Sequence, residues 1–340
     1  MSKIKQILKK ILFYILYKDK NVYYKDNYNS LNFLHLFFWN FFRPGRAIEK
    51  IKYRRILFPK KLKNLDNNIY ISNQDYSNGK IEDVCSEKLK KYGTVLLNEY
   101  FSEQTLLEFE EEYKKDFEDI DKPPSNNYNK SDYLHFSNIL SKLWFDEGII
   151  KSLEKYNNGI PYARNYAQLG SVKPLSNSKA KSNNYADSWH LDHSTLIQVA
   201  IFFNDIGEKD SHMQTLVGSN TYPAVTNPGN LSKEYVEKNN LKIGKCVGKR
   251  GSVQIHCGNT FHRFKPFPNS TRKWIKFVFS SGNNIQLDTN NIAKMLKNDF
   301  NLDTLDKKSR KILSGLFPYK LHKGYELKNK GFYPTKFKGI

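Results

Sequence analysis

The chain has 340 residues, 39% of them hydrophobic and 14% aromatic, which is enough to bury a sizeable core and excludes wholesale disorder. Its net charge of +21 lies mainly at the two ends: residues 1–66 hold 16 Lys/Arg against 4 Asp/Glu, and residues 286–340 hold 12 against 5. Because the middle of the chain is nearly neutral, the charge argues against a nucleic-acid groove there. This charge distribution favours binding of the two ends to an anionic surface, such as a membrane.

Residues 1–66 are interpreted as a basic, aromatic-rich helical segment. Apolar residues recur at helical spacing with lysines among them, which predicts an amphipathic helix; they are Ile4, Leu8, Ile11, Leu12 and Ile15. A Phe/Trp-rich run follows at 31–42. Both segments suit a membrane interface, although packing on the protein's own body is the favoured interpretation. Neither apolar run is long enough to span a bilayer, and no signal-peptide cleavage site follows the first.

The cysteines indicate the compartment. Cys85, Cys246 and Cys257 are odd in number, widely spaced and without a CxxC pair, so neither a disulfide framework nor a zinc site is predicted. A reducing cytoplasm fits this usage best.

Residues 67–285 are predicted to form the main domain. A strand is expected near 91–98, a helix capped by Ser102 follows it, and residues 139–153 are expected to be helical. Short apolar segments separated by polar turns then follow, at 163–172, 195–203, 252–255 and 274–280. This pattern predicts an α+β fold with a mainly β core, a double-stranded β-helix (the cupin-like jelly roll) flanked by helices. Residues 286–340 are predicted to be a basic helical extension.

One group of residues has the types and spacing expected of a metal site. His190 and Asp192 share strand parity just before the apolar run 195–203, so their side chains are expected on one face. His262 lies 72 residues after His190, beyond a further predicted strand and a turn. In a jelly roll, this distance allows a later strand to return beside the first. Two imidazoles and one carboxylate form the facial triad of non-haem Fe(II) oxygenases, which leaves positions open for a keto acid and O2.

A cation follows the second histidine. Arg272 stands ten residues after His262 and begins a predicted strand, where a guanidinium can hold a carboxylate in a bidentate pair. Lys273 and Arg263 are alternatives for this role. Strand alternation puts Lys273 on the opposite face, so Arg272 is preferred.

Two other histidines compete for the metal. His193 makes an H-x-x-H pair with His190, which can bind zinc when both lie on a helix, but the flanking segments favour strands. His256 lies six residues before His262 and is assigned a supporting role. Four further residues are named as candidates to line a pocket: Tyr166, Gln168, Trp189 and Gln198.

The segment from about Tyr92 to Ser281 resembles the phytanoyl-CoA dioxygenase family of Fe(II)/2-oxoglutarate oxygenases. The similar stretches are residues 92–104, 189–192, 217–220, 251–262 and 269–272. The resemblance implies that His190, Asp192 and His262 bind Fe(II) and that Arg272 binds the distal carboxylate of 2-oxoglutarate. The sequence departs from the family pattern in three ways: Asn220 stands where His is usual, Ser252 where Asp is frequent, and the spacing to Arg272 is about one residue short.

The family implies a dioxygenase that uses Fe(II), 2-oxoglutarate and O2 to hydroxylate a small-molecule or lipid-like metabolite, with release of succinate and CO2. Two other hypotheses are a jelly-roll metalloenzyme that does not use 2-oxoglutarate and a catalytically silent jelly-roll binding module held to an anionic surface by its basic ends. The joint presence of all four residues disfavours the silent module. No specific nucleic-acid partner is predicted.

Overall fold

The computed structural model describes residues 22–23, 65–72, 81–122, 128–132, 134–163, 167–172, 189–192, 196–221, 230–231, 233–267, 270–280 and 304–313. The amphipathic segment and the aromatic run predicted at the N-terminus lie outside these residues. Among the described helices, none is long and apolar enough to cross a lipid bilayer.

The described helices flank a larger set of strands. The helices are α1 Ile81–Tyr92, α2 Glu103–Glu112, α3 Lys114–Asp121, α4 Asn138–Trp144, α5 Glu147–Asn157, α6 Lys233–Lys238 and α7 Lys307–Leu313. A short 3-10 helix spans Ser219–Thr221. The α+β class predicted from the sequence is therefore confirmed.

The strands form two sheets. They are β1 Val22–Tyr23, β2 Tyr70–Ile71, β3 Thr94–Leu97, β4 Tyr128–Asp132, β5 Tyr162–Ala163, β6 Gln168–Val172, β7 Trp189–His190, β8 Leu196–Phe202, β9 His212–Leu216, β10 Asn230–Leu231, β11 Ile243–Cys246, β12 Val253–Cys257, β13 His262–Lys265 and β14 Arg272–Ser280. The first sheet has the order β1-β10-β7-β13-β9-β11, and the second has the order β2-β3-β12-β8-β14-β6-β4, with β5 beside β14. Every described strand pair is antiparallel except β2 with β3.

The two sheets face each other, and side chains from both meet between them. Phe264 of the first sheet packs against Ala200 and Trp274 of the second. Further along, the Gln254 amide lies 3.3 Å from Met213 Sδ across the same gap. We call the surfaces that meet here the inner faces of the sheets.

The largest apolar cluster lies on the other side of the second sheet, under the helices. Alternate strand residues such as Val199, Ile255 and Phe277 point into it, and all three are almost fully buried. The Trp144 ring of α4 stacks on Phe277 with centroids 5.3 Å apart. Burial of each such side chain stabilises the fold by about 1.5–3 kcal/mol, so this cluster holds the sheet against its helices.

Two helix predictions can be compared with the structure. Ser102 caps α2 as predicted, because its Oγ accepts from the Thr105 N–H at 3.3 Å. The helix expected over 139–153 is instead two helices. The carboxylate of Asp146 accepts from the Ile149 N–H at 3.0 Å and so begins α5 as a new helix.

An arginine joins the helices to the turn before β12. Arg250 Nε donates to both carboxylate oxygens of Glu103, at 3.0 and 2.9 Å, and its Nη atoms donate to Glu110 at 2.8 and 2.7 Å. Nη1 also donates to the Phe203 carbonyl at 2.7 Å. One guanidinium therefore fixes α2 to the ends of β8 and β12.

We expect Arg250→Met to lower the free energy of unfolding by at least about 2 kcal/mol, because it removes several partly buried hydrogen bonds, and even one hydrogen bond to a charged group contributes roughly 1.5–3 kcal/mol. Lys249→Met is the matched control, since Lys249 pairs with Asp205 in an exposed ion pair and should cost less than about 1 kcal/mol. Urea unfolding of both variants measures the difference. Equal destabilisation by the two substitutions would contradict this account of Arg250.

Candidate metal centre

Two histidines are brought together by backbone pairing. Strands β7 and β13 are antiparallel neighbours, and His190 and His262 are directly opposite in their register. Side chains at opposed positions project to the same face, here the inner one, and the two ring centroids are 4.4 Å apart. Both imidazoles are buried.

The carboxylate comes from the loop after β7. The Asp192 N–H donates to the Gly258 carbonyl at 2.8 Å, which fixes the loop against the β12–β13 turn. Asp192 Oδ2 then lies 3.5 Å from His262 Nε2. The structure differs from the sequence prediction in one respect: β7 is a separate strand in the opposite sheet, so the His190–Asp192 triplet does not begin the strand 195–203.

The geometry of the three side chains suits one metal ion. One ligand atom from each of His190, Asp192 and His262 can be chosen so that all lie within 4.8 Å of one another. Metal–ligand bonds of about 2.1 Å bring two ligands of one ion to within roughly 3–3.5 Å, close to the separation of Asp192 from His262. His262 Nδ1 is 2.9 Å from the Thr260 carbonyl, an acceptor, so Nδ1 carries the proton and Nε2 is left to bind a metal.

Gln198 supports the carboxylate. Its side-chain amide donates to Asp192 Oδ2 from strand β8 of the second sheet. The hydrogen bond therefore joins the ligand loop to the opposite sheet and sets the direction of the carboxylate. Gln198, one of the four residues named from the sequence as pocket candidates, is therefore in direct contact with a candidate metal ligand.

The turn between β12 and β13 is held by hydrogen bonds to the carbonyl of Gly93. Thr260 Oγ1 and the Cys257 N–H both donate to the Gly93 carbonyl, each at 2.9 Å. Gly93 has φ of +76°, and a Cβ there would lie 2.3 Å from Thr260 Oγ1. Only glycine suits this position, both for its backbone angle and for the close approach of the turn that carries His262.

Asn220, one of the departures from the family pattern, has a structural role here. Its side-chain N–H groups donate to the carbonyls of Leu89 and Lys90 at 3.1 and 3.0 Å, in the last turn of α1. The Leu89 carbonyl also accepts from the Gly93 N–H at 2.9 Å, so Asn220 adds a second donor there and closes the helix next to the turn that carries His262.

Arg272 lies on the inner face. It is buried, with Nη2 donating to Gln254 Oε1 at 3.2 Å and the guanidinium 5.4 Å from the centre of the Phe202 ring. The two alternatives point elsewhere. Lys273 Nζ pairs with Asp121 of α3 at 2.7 Å, and the Arg263 guanidinium lies 4.5 Å from the Trp189 ring on the outer side of the first sheet.

The remaining named residues are placed as follows. Trp189 packs with Leu216, Phe261 and other apolar side chains on the outer side of the first sheet, facing away from the candidate metal ligands. Gln168 pairs in register with Lys276 on β14. Tyr166 and His193 lie outside the described residues.

His256, which was assigned a supporting role, lies beside the candidate ligand His262. Its ring centroid is 4.8 Å from that of His262, and the side chain is almost fully buried. Burial, followed by the positive charges around it, holds the pKa of His256 well below its usual value. The imidazole is therefore neutral.

Two inner-face residues near the ligands were missed in the sequence. Gln254 holds Arg272, and Lys276 lies on the strand face that also carries Arg272 and Trp274. The parity that selected Arg272 over Lys273 also selects Lys276, so alternation along β14 was the available signal.

No protein-family model and no curated protein matches the sequence. Among solved structures, the epimerase SnoN in complex with Fe3+, alpha ketoglutarate and nogalamycin RO aligns at 11% identity and a TM-score of 0.47, covering 58% of this chain and 83% of that chain. The carbocyclase SnoK from nogalamycin biosynthesis aligns at 12% and 0.43, covering 59% and 86%. AviO1 from Streptomyces viridochromogenes Tue57 aligns at 13% and 0.43, covering 59% and 96%. Because TM-scores below 0.5 are too low to establish a shared fold, we base the function on the geometry of the site.

We expect His190→Ala, Asp192→Ala and His262→Ala each to weaken metal binding by more than the roughly 10- to 100-fold that loss of a supporting hydrogen bond costs. Gln198→Leu should fall in that lower range, because it removes only the bond to Asp192. Visible absorption of bound Co(II) gives the affinities. His135→Ala is the control, since His135 pairs with Glu112 on the helical side. Unchanged Co(II) affinity in His262→Ala would exclude this metal centre.

Proposed function

We propose that the protein is an Fe(II)/2-oxoglutarate-dependent dioxygenase that hydroxylates a small-molecule or lipid-like metabolite and converts 2-oxoglutarate to succinate. The observation that carries the proposal is the convergence of His190, Asp192 and His262 within 4.8 Å on the inner face, with Arg272 on the facing sheet. A facial triad leaves open positions for a keto acid and O2, and a guanidinium suits the far carboxylate of a dicarboxylate.

The fold supports this proposal. We infer that the two facing sheets are a double-stranded β-helix like that of the phytanoyl-CoA dioxygenase family. Strands β6, β14, β8 and β12 are neighbours in one sheet, and β7, β13, β9 and β11 are neighbours in the other. Consecutive strands thus alternate largely between the sheets, which is the winding of a jelly roll. We also propose that residues 67–285 form this domain, with 1–66 and 286–340 as flanking segments.

Iron with 2-oxoglutarate would supply the O2 activation and the oxidation of a C–H bond. The chain's own residues have three tasks. His190, Asp192 and His262 would hold the ion, with the Nδ1–H of His262 donating to the Thr260 carbonyl. Arg272 orients the cosubstrate, and Gln254 fixes the guanidinium in turn. The surrounding apolar side chains exclude water, which strengthens the ion pair with Arg272.

Anaerobic titration of the Fe(II) protein with 2-oxoglutarate should produce the visible charge-transfer band of a chelated keto acid. We expect Arg272→Met to weaken 2-oxoglutarate binding by roughly 30- to 150-fold with Fe(II) affinity retained. This corresponds to loss of a charge-assisted interaction of about 2–3 kcal/mol. Lys273→Met is the matched neighbour and should bind 2-oxoglutarate normally, because its ammonium pairs with Asp121.

Absence of the band in the wild-type protein with Fe(II) bound would overturn the use of 2-oxoglutarate. A normal affinity in Arg272→Met would leave the metal centre intact but remove Arg272 from the cosubstrate site.

We also propose that the protein is cytoplasmic and meets an anionic membrane surface through its N-terminal segment, which has a net charge of +12 over residues 1–66. Binding to vesicles containing phosphatidylserine should then weaken as salt is raised, because exposed charges are screened. Deletion of residues 1–20 should abolish this binding in a vesicle co-sedimentation assay. Equal binding by the truncated protein would contradict the proposal.

A further inference from the structure

The inner face of the second sheet has a row of side chains next to the metal ligands. In register across β12, β8, β14 and β6 lie Gln254, Ala200, Lys276 and Gln168. Ala200 is the smallest of these side chains, and it lies in a buried cluster with Trp274. The adjacent row begins with His256, which pairs in register with Gln198.

Lys276 belongs to the inner face. Its strand neighbours Ile275 and Phe277 are fully buried in the apolar cluster under the helices. Because side chains alternate along a strand, Lys276 projects to the opposite side, together with Trp274. Trp274 packs there against Ala200, and Lys276 is partly buried beside it.

The proton of His256 can be located from its neighbours. An arginine can only donate, so Arg272 Nη2 requires Gln254 to present Oε1 to it, at 3.2 Å. The amide nitrogen of Gln254 therefore faces His256 Nδ1, at 3.3 Å, and donates to it. With Nδ1 acting as acceptor, the neutral imidazole carries its proton on Nε2.

This Nε2–H of His256 is buried and has no hydrogen-bond partner among the described residues. A buried donor without an acceptor has lost its hydrogen bond to water and gained none in the protein, which is unfavourable. A ligand oxygen placed in the gap between the sheets would supply that hydrogen bond.

The charges on this face are mainly positive. None of the strands whose side chains are described contains Asp or Glu. Two carboxylates lie at the borders of this region: the row continues from Gln168 to the register position of Asp132 on β4, and Asp192 belongs to the loop after β7. Burial is the main cause that lowers the pKa of His256, and the charges of His262, Lys276 and Arg272 act in the same direction. With a divalent ion also bound, the face would attract more than one anionic group.

We propose that His256 and Lys276 form a second anion-binding position, which takes a carboxylate or phosphate group of the organic substrate. The assignment of that group to the organic substrate rests on the proposed function, in which Arg272 holds the far carboxylate of 2-oxoglutarate. His256 Nε2–H donates a hydrogen bond to the anion, and the ammonium of Lys276 pairs with it. The substrate is accordingly an anionic metabolite.

Calorimetric titration of the Co(II)-loaded protein with butyl phosphate, butyrate and butanol tests this position, with and without saturating 2-oxoglutarate. We expect butyl phosphate or butyrate to bind at least tenfold more tightly than butanol in both forms. Lys276→Met should weaken anion binding at least tenfold, and Lys276→Arg should retain most of it. Lys273→Met, whose side chain is on the other face of the same strand, is the control and should bind like wild type.

His256 is tested in the same assay with two substitutions. His256→Phe removes the donor and should weaken butyl phosphate binding several-fold, whereas His256→Gln keeps an N–H donor and should restore most of the affinity. A purely structural role for His256 would give no such recovery.

Two results would overturn the proposal. One is butyl phosphate and butyrate binding no more tightly than butanol to the Co(II) protein. The other is Lys276→Met weakening 2-oxoglutarate binding and sparing butyl phosphate, which would assign Lys276 to the cosubstrate. Failure of the proposed function has a different signature: 2-oxoglutarate would not bind, while butyl phosphate would still bind to the form without it and would still depend on Lys276.

Discussion

Antiparallel pairing of β7 with β13 is the contact on which the site depends. It sets His190 directly opposite His262, and the following loop and turn then position Asp192 and fix the His262 tautomer. The pairing is short, so it relies on support from outside the two strands. The turn before β13 supplies that support, because it is bonded to the carbonyl of Gly93 and so to the end of α1.

The inner and outer faces of the two sheets have different roles. The outer face of the second sheet is apolar and packs under the helices, which stabilises the fold. The inner faces hold most of the buried imidazoles together with Arg272, and they keep these groups paired through Gln254, Gln198 and backbone carbonyls. Buried polar groups cost free energy unless they are paired, and Gln254 and Gln198 are the neutral residues that pair with Arg272, His256 Nδ1 and Asp192.

Much of the fold could be predicted from local pattern. Apolar runs predicted β3, β8, β12 and β14, and Ser102 predicted the beginning of α2. The strands β9, β11 and β13 were not predicted, because they are short and mix polar with apolar residues. In β9, with the sequence HMQTL, every residue is buried, yet this follows from strands on both sides and not from its hydrophobicity.

The sequence by itself determined the types of candidate ligand, two imidazoles and a carboxylate, and the alternation that separates Arg272 from Lys273. These depend on residue identity and on neighbouring positions, which a local pattern contains. Only the tertiary structure decided that the triplet lies in a different sheet from β8, that Trp189 faces away from the site, and that Gln254 joins Arg272 to His256. Those outcomes depend on contacts between residues far apart in the chain, and such contacts are set by how the sheets pair and face each other.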